Sequence, residues 1–181
     1  MVEFQPSAWS KGSYLNVAAH WLWSSIADEL QVVLSFDYGG RVGSFISFES
    51  EDQFAIEAAG LVEIAAAESR RLEELLVSID AIADRLISDE RQANEARGGG
   101  HWGAFHAGVA AGLAGRTGVA KAMFNSVLAK PASPGSVLCP MAQNMSELVN
   151  DGEAFRRYVF GIVNQQRDRL KLPAFGAATF V

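Results

Sequence analysis

The apolar residues change period near Ser50, and that change constrains the chain more than any other feature. Before it, apolar and polar residues alternate between recurring turn signals. After it, apolar residues recur every three or four positions almost to the C-terminus. A sheet-forming segment followed by a larger helical one predicts an α+β fold. The expected layout has an antiparallel sheet of about four strands over 1–50 and a long helical segment over 51–97. A helical hairpin and a C-terminal helix over 98–181 then pack on the same core, making one domain. The chain has 181 residues, 49% hydrophobic and 20% charged, which suffices to bury such a core.

The clearest strand spans 14–23. Leu15, Val17, Ala19, Trp21 and Trp23 alternate with Asn16, Ala18, His20 and Leu22, which sends the two sets to opposite faces. Ser10-Lys11-Gly12-Ser13 reads as the hairpin turn joining it to a short strand over 2–8. Gly39-Gly40, between 32–38 and 41–48, suits the positive φ angles of a two-residue turn. It predicts a second hairpin with Tyr38 opposite Arg41, Phe36 opposite Gly43 and Leu34 opposite Phe45.

Ser50-Glu51-Asp52-Gln53 matches a capping box that opens a helix. Beyond it, Phe54, Ala58, Leu61, Ala65, Glu68, Leu72, Leu75, Ile79, Ile82 and Leu86 are alternately four and three apart. This heptad-like seam, broken only by Glu68, predicts one long helix or two in line. The seam packs on the sheet or, on a second reading, forms a homodimer through Leu72, Leu75, Ile79 and Ile82. The outer face, with Glu63, Arg70, Arg71, Glu73, Glu74, Asp80, Asp84 and Arg85, reads as charged and solvated. Gly98-Gly99-Gly100 is a break. Helices are expected over 101–114 and 119–128 around a turn at 115–118. Small residues at their crossing (Ala107, Gly108, Ala111, Gly112 and Ala120) allow a close approach. Gly108, Ala120 and Phe124 have the spacing of one tetratricopeptide-type repeat, without a second copy. Residues 130–140, with three prolines, read as a loop. Asn150-Asp151-Gly152-Glu153 opens a last helix over 154–170 that Pro173 ends. The apolar tail 174–181 is expected to dock.

Composition excludes several function classes. A net charge of −6 argues against nucleic acid as a partner, because phosphate binding needs a basic face. No apolar run approaches the roughly 20 residues of a membrane span. The first residues lack the basic and apolar regions of a secretory signal, and Cys139 is the sole cysteine. Both predict a cytoplasmic protein in a reducing compartment.

Sites of chemistry are sparse. His101 and His106 are five apart, whereas helical metal pairs prefer three or four, so no metal and no cofactor is expected. Cys139 precedes Pro140 without a neighbour that would stabilise a thiolate. No serine sits in a Gly-x-Ser-x-Gly setting. Four residues remain as binding candidates: Trp9, Tyr14, Asn16 and His20. The two aromatics belong to a dense aromatic group and would anchor a partner if exposed. His20 would act as an acid/base group beside Asn16, and its competing reading is a partly buried histidine holding one hydrogen bond.

Phe4-Gln5-Pro6-Ser7-Ala8-Trp9, followed by Tyr14-Leu15-Asn16-Val17, resembles the central strands of a bacterial family known as domain of unknown function 4304. That family carries a Phe-Gln-x-Ser strand, a glycine-containing turn and a strand with an Asn-hydrophobic pair. The resemblance covers about the first fifty positions. It implies a small α+β protein without catalytic residues to carry over. It also implies a helix and a strand before the Phe-Gln motif, which here begins at residue 4. The sheet would then keep an edge for something else to cover.

Together these features predict a non-enzymatic bacterial protein that binds another protein, as adaptors and immunity proteins do. Glu49, Glu51, Glu73 and Glu74 would steer a basic partner. The alternative is a small-molecule binder or hydrolytic enzyme with a pocket between sheet and helices, lined by Tyr14, Asn16 and His20.

Overall fold

A computed structural model describes residues 2–24, 37–97, 101–130 and 137–173. The chain divides into two compact units. One comprises Met1–Trp21 and Ile26–Leu76; the other comprises Leu22–Ser25 and Val77–Val181. The boundary at Leu76 cuts the predicted 51–97 segment in two. Helix α1 (Glu51–Leu75) belongs to the first unit, and α2 (Ile79–Arg97) opens the second.

In the first unit, β1 (Val2–Pro6), β2 (Gly12–Ala19) and β3 (Tyr38–Ser47) form an antiparallel sheet in the order β1-β2-β3. The predicted first hairpin is present, with Phe4 opposite Leu15 and Pro6 opposite Ser13. The described sheet has three strands rather than four, and β2 ends at Ala19 rather than at Trp23. The second hairpin is not formed as expected. Gly39 and Gly40 lie within β3, opposite Ala18 and Val17, while Tyr38 faces Ala19 and Arg41 faces Asn16. Gly39 has φ +106°, and a Cβ there would stand 2.5 Å from the Val17 carbonyl oxygen. Gly39 therefore serves close strand approach rather than a turn, while Gly40 has nothing within 4 Å of a Cβ position. Leu34 and Phe36 lie outside the described residues.

Alternation sends Leu15 and Val17 to the face that α1 covers. There they form a core with Ile46, Leu61, Ala65 and Leu72, flanked by Tyr38, Val42, Phe54 and Ala58. Ser50 caps the helix as expected, with Gln53 N donating to Ser50 Oγ at 3.2 Å, while the Gln53 side chain reaches past the cap residue, its Oε1 accepting from Glu49 N at 3.1 Å. Glu68, the break in the seam, is half-buried and accepts from Arg71 Nε and Nη2, each at 2.7 Å. Those bonds hold its carboxyl below the usual carboxylate range. The seam is divided. Leu72 is buried in the core of the first unit, while Leu75, Ile79 and Ile82 are half-buried.

The second unit is helical: α2, α3 (His101–Leu113), α4 (Thr117–Leu128), α5 (Leu138–Leu148) and α6 (Gly152–Arg169). The α3–α4 pair is the predicted helical hairpin, turned at Gly115 with φ +75°. Every α3 residue from Ala104 to Leu113 is buried. Two of its glycines seat aromatic rings. A Cβ on Gly108 would stand 2.7 Å from the Phe124 ring, and one on Gly112 would stand 2.5 Å from the Phe155 ring. Phe124 lies 6.1 Å from Phe105 and 6.5 Å from Phe155, centroid to centroid. α6 starts as expected, with Asp151 Oδ1 accepting from Glu153 N and Ala154 N at 3.1 and 3.0 Å. The loop reading of 130–140 is corrected at its end. Leu138, Cys139 and Pro140 form the first turn of α5, where proline lacks only an N–H that has no helical acceptor. Gly98-Gly99-Gly100 and the tail 174–181 lie outside the described residues.

Candidate functional site

The β1–β2 connection is ordered from within. Ser7 N donates to Gly12 O at 3.0 Å, and Ser7 Oγ accepts from Trp9 N and Ser10 N at 3.2 and 3.4 Å. Phe48 N donates to Lys11 O at 3.0 Å, which ties the turn to the chain leaving β3. These bonds close the turn onto Ser7 and leave Trp9 at its outside. That side chain is 97% exposed.

Three phenylalanines stand beside the turn. Phe54, in the first turn of α1, has its ring 6.3 Å from Phe4 and 5.9 Å from Phe48. Phe4 and Phe48 are themselves 40% and 42% exposed. Trp9, Lys11, Ser13, Phe48, Phe54 and Pro6 line an open depression of about 620 Å³. This arrangement offers a broad aromatic contact surface. The cap of α1 also places Glu49, Glu51 and Asp52 next to Phe48 and Phe54 in the chain, all three exposed.

The other predicted residues do not join Trp9. Tyr14 and Asn16 lie on the sheet face opposite the one α1 covers. The Arg41 guanidinium sits 3.5 Å over the Tyr14 ring, and Phe45 is 4.9 Å from it. Asn16 is buried, and its Nδ2 donates to Gln5 Oε1 at 3.1 Å. A pocket between this sheet and α1 is therefore not lined by Tyr14 and Asn16. His20 follows the last residue of β2, so the strand separates it from Trp9 by roughly 24 Å of rise. His20 Nδ1 lies 2.7 Å from Asp37 Oδ2, without the alignment of a hydrogen bond. The same oxygen accepts from Trp21 N at 2.7 Å. His20 makes no hydrogen bond to a serine, threonine or cysteine side chain among the described residues.

Two features of the second unit escaped the sequence reading. Trp23 Nε1 donates to His106 Nδ1 at 3.2 Å, and Trp102 stacks on the same imidazole with centroids 5.5 Å apart. His106 is thereby a buried structural group with an assigned partner. Glu90 is buried 3.8 Å from Lys130 Nζ and accepts from Asn94 Nδ2 at 3.0 Å. Neither pairing could be read from spacing, because each joins residues far apart in the chain or on separate helices. Among the described residues no group of three or more His, Cys, Asp or Glu side chains could hold a metal ion. Among them, too, no helix is long and apolar enough to cross a membrane.

Compared with protein-family models, curated proteins and solved structures, the chain gives no significant match.

Proposed function

We propose that this chain is a cytoplasmic, non-enzymatic protein-binding module of the adaptor or immunity type, docking its partner on the β1–β2 hairpin tip. The observation that carries this reading is the 97% exposure of Trp9 above a depression rimmed by exposed Phe48. A tryptophan side chain holds roughly 200 Å² of contact surface, so its burial against a partner contributes about 5 kcal/mol before the costs of association. Tryptophan is also the residue most enriched at interaction hot spots. The acidic residues beside the tip and the net charge of −6 favour a partner with a basic rim around an apolar socket.

The test is affinity capture from the native cytosol with wild type and Trp9→Ala side by side. The expected result is one stoichiometric protein on wild type that is lost or strongly reduced on the variant. Equal recovery on both would refute the tip as the docking site. The His20–Asp37 contact favours the second reading, a small-molecule or hydrolytic site. A ligand whose stabilisation of the protein disappears in His20→Ala would select that reading instead.

A further inference from the structure

We infer that the outer face of α1 docks on a second copy of this chain, with the two helices antiparallel. The inner seam of α1 (Phe54, Ala58, Leu61, Ala65 and Leu72) is spent on the sheet. On the opposite side runs a second stripe, Asp52, Ile56, Ala59, Glu63, Ala66 and Arg70, again spaced four and three apart, and every member is exposed. Ile56 on the stripe is 75% exposed and Val62 beside it is 61% exposed. A helix needing only one apolar face has no use for an exposed Ile56 on its outer side. Gly60, also on this side, has nothing within 4 Å of a Cβ position. The alanines and this glycine leave a low surface that a second helix can approach closely.

Charge chooses the occupant and its direction. The stripe is acidic at Asp52, carries Ile56, Ala59, Glu63 and Ala66 along its middle and is basic at Arg70. Asp52 and Arg70 form no ion pair among the described residues. A parallel copy would set Asp52 against Asp52, Glu63 against Glu63 and Arg70 against Arg70. An antiparallel copy about a two-fold axis near Leu61 sets Asp52 against Arg70 at both ends, with Ile56 against Ala66 and Glu63 against Ala59 between them. A two-fold contact uses one patch twice and needs it to be self-complementary in this way. The stripe covers about 27 Å at 1.5 Å per residue. Such a contact is at the small end of specific interfaces, so association should depend on concentration.

The test is light-scattering mass against concentration for wild type, Asp52→Arg, Arg70→Asp and an equimolar mixture of the two variants, with circular dichroism on each. Wild type should rise from 19.5 kDa towards twice that mass. Each variant alone sets like charges together at both ends and should stay monomeric at the same concentration. The mixture restores both pairs and should regain the dimer, which a folding defect in either variant could not produce. Wild type that stays monomeric throughout overturns the inference. So does a dimer that both single variants retain, because the copies would then meet elsewhere.

Discussion

Replacing Gly108 by alanine should destabilise the second unit, although alanine is the better helix former. In the middle of an exposed helix this change gains roughly 1 kcal/mol. At Gly108 the added methyl would lie 2.7, 2.9 and 3.1 Å from three atoms of the Phe124 ring. The ring must move by more than half an ångström, yet Phe124 is fully buried and held between Phe105 and Phe155. Overpacking of this kind costs about 1–3 kcal/mol, and the rigid setting places it near the upper end. The net expectation is a loss of about 1–2 kcal/mol. Gly161 in α6 is the control, since it has nothing within 4 Å of a Cβ position. Gly161→Ala should gain about 0.5–1 kcal/mol. Urea unfolding by circular dichroism reads both, with midpoints moving in opposite directions. Phe124→Leu, which shortens the obstructing ring, should shrink the cost of Gly108→Ala in a double-mutant cycle. A Gly108→Ala midpoint equal to or above wild type would refute the reasoning, as would a cost unchanged in the Leu background.

Other outcomes follow from local contacts. Ser50→Ala removes the hydroxyl that accepts from Gln53 N and should cost about 1 kcal/mol by the same unfolding measurement. Trp9→Ala should leave the urea midpoint within about 0.5 kcal/mol of wild type, because a side chain this exposed contributes little to folding. Asp84 is bonded to Arg116, which also pairs with Asp80 at 2.7 Å and holds the Asp84 carboxyl below its ordinary value. A lowered folded pKa adds stability above the unfolded pKa, and that stability is lost as pH falls through the folded one. Asp84→Asn should therefore melt below wild type at pH 7, and the gap should close on acidification below about pH 4.

The helical half was more legible than the sheet. Caps are local, so Ser50-x-x-Gln53 and Asp151 marked helix starts that the structure keeps. The small residues of α3 announced a close approach, though not that rings from α4 and α6 would fill the space. Gly39-Gly40 fits a tight turn, but Gly39 also fits a crowded strand position. Only pairing with β2, a non-local fact, separates the two. Helix α5 was hidden by Pro140, which reads as a breaker unless the helix begins just before it. On α1 the charged outer residues were visible, but the exposure of Ile56, Val62 and Ile64 was not, since it depends on which side of the helix the sheet covers. Of the binding candidates, Trp9 was visible as an aromatic near a turn, but its exposure was not. Phe48 and Phe54 were not visible beside it, since the fold alone brings them to the hairpin tip.

The docking claim is tested most directly by hydrogen–deuterium exchange on the complex recovered by affinity capture, compared with the free chain. Slowed exchange concentrated in 7–13 and 47–54, the turn carrying Trp9 and the segment carrying Phe48 and Phe54, is the predicted result. Protection centred on 18–21 and 37–38, around His20 and Asp37, with the hairpin tip unchanged, would contradict it.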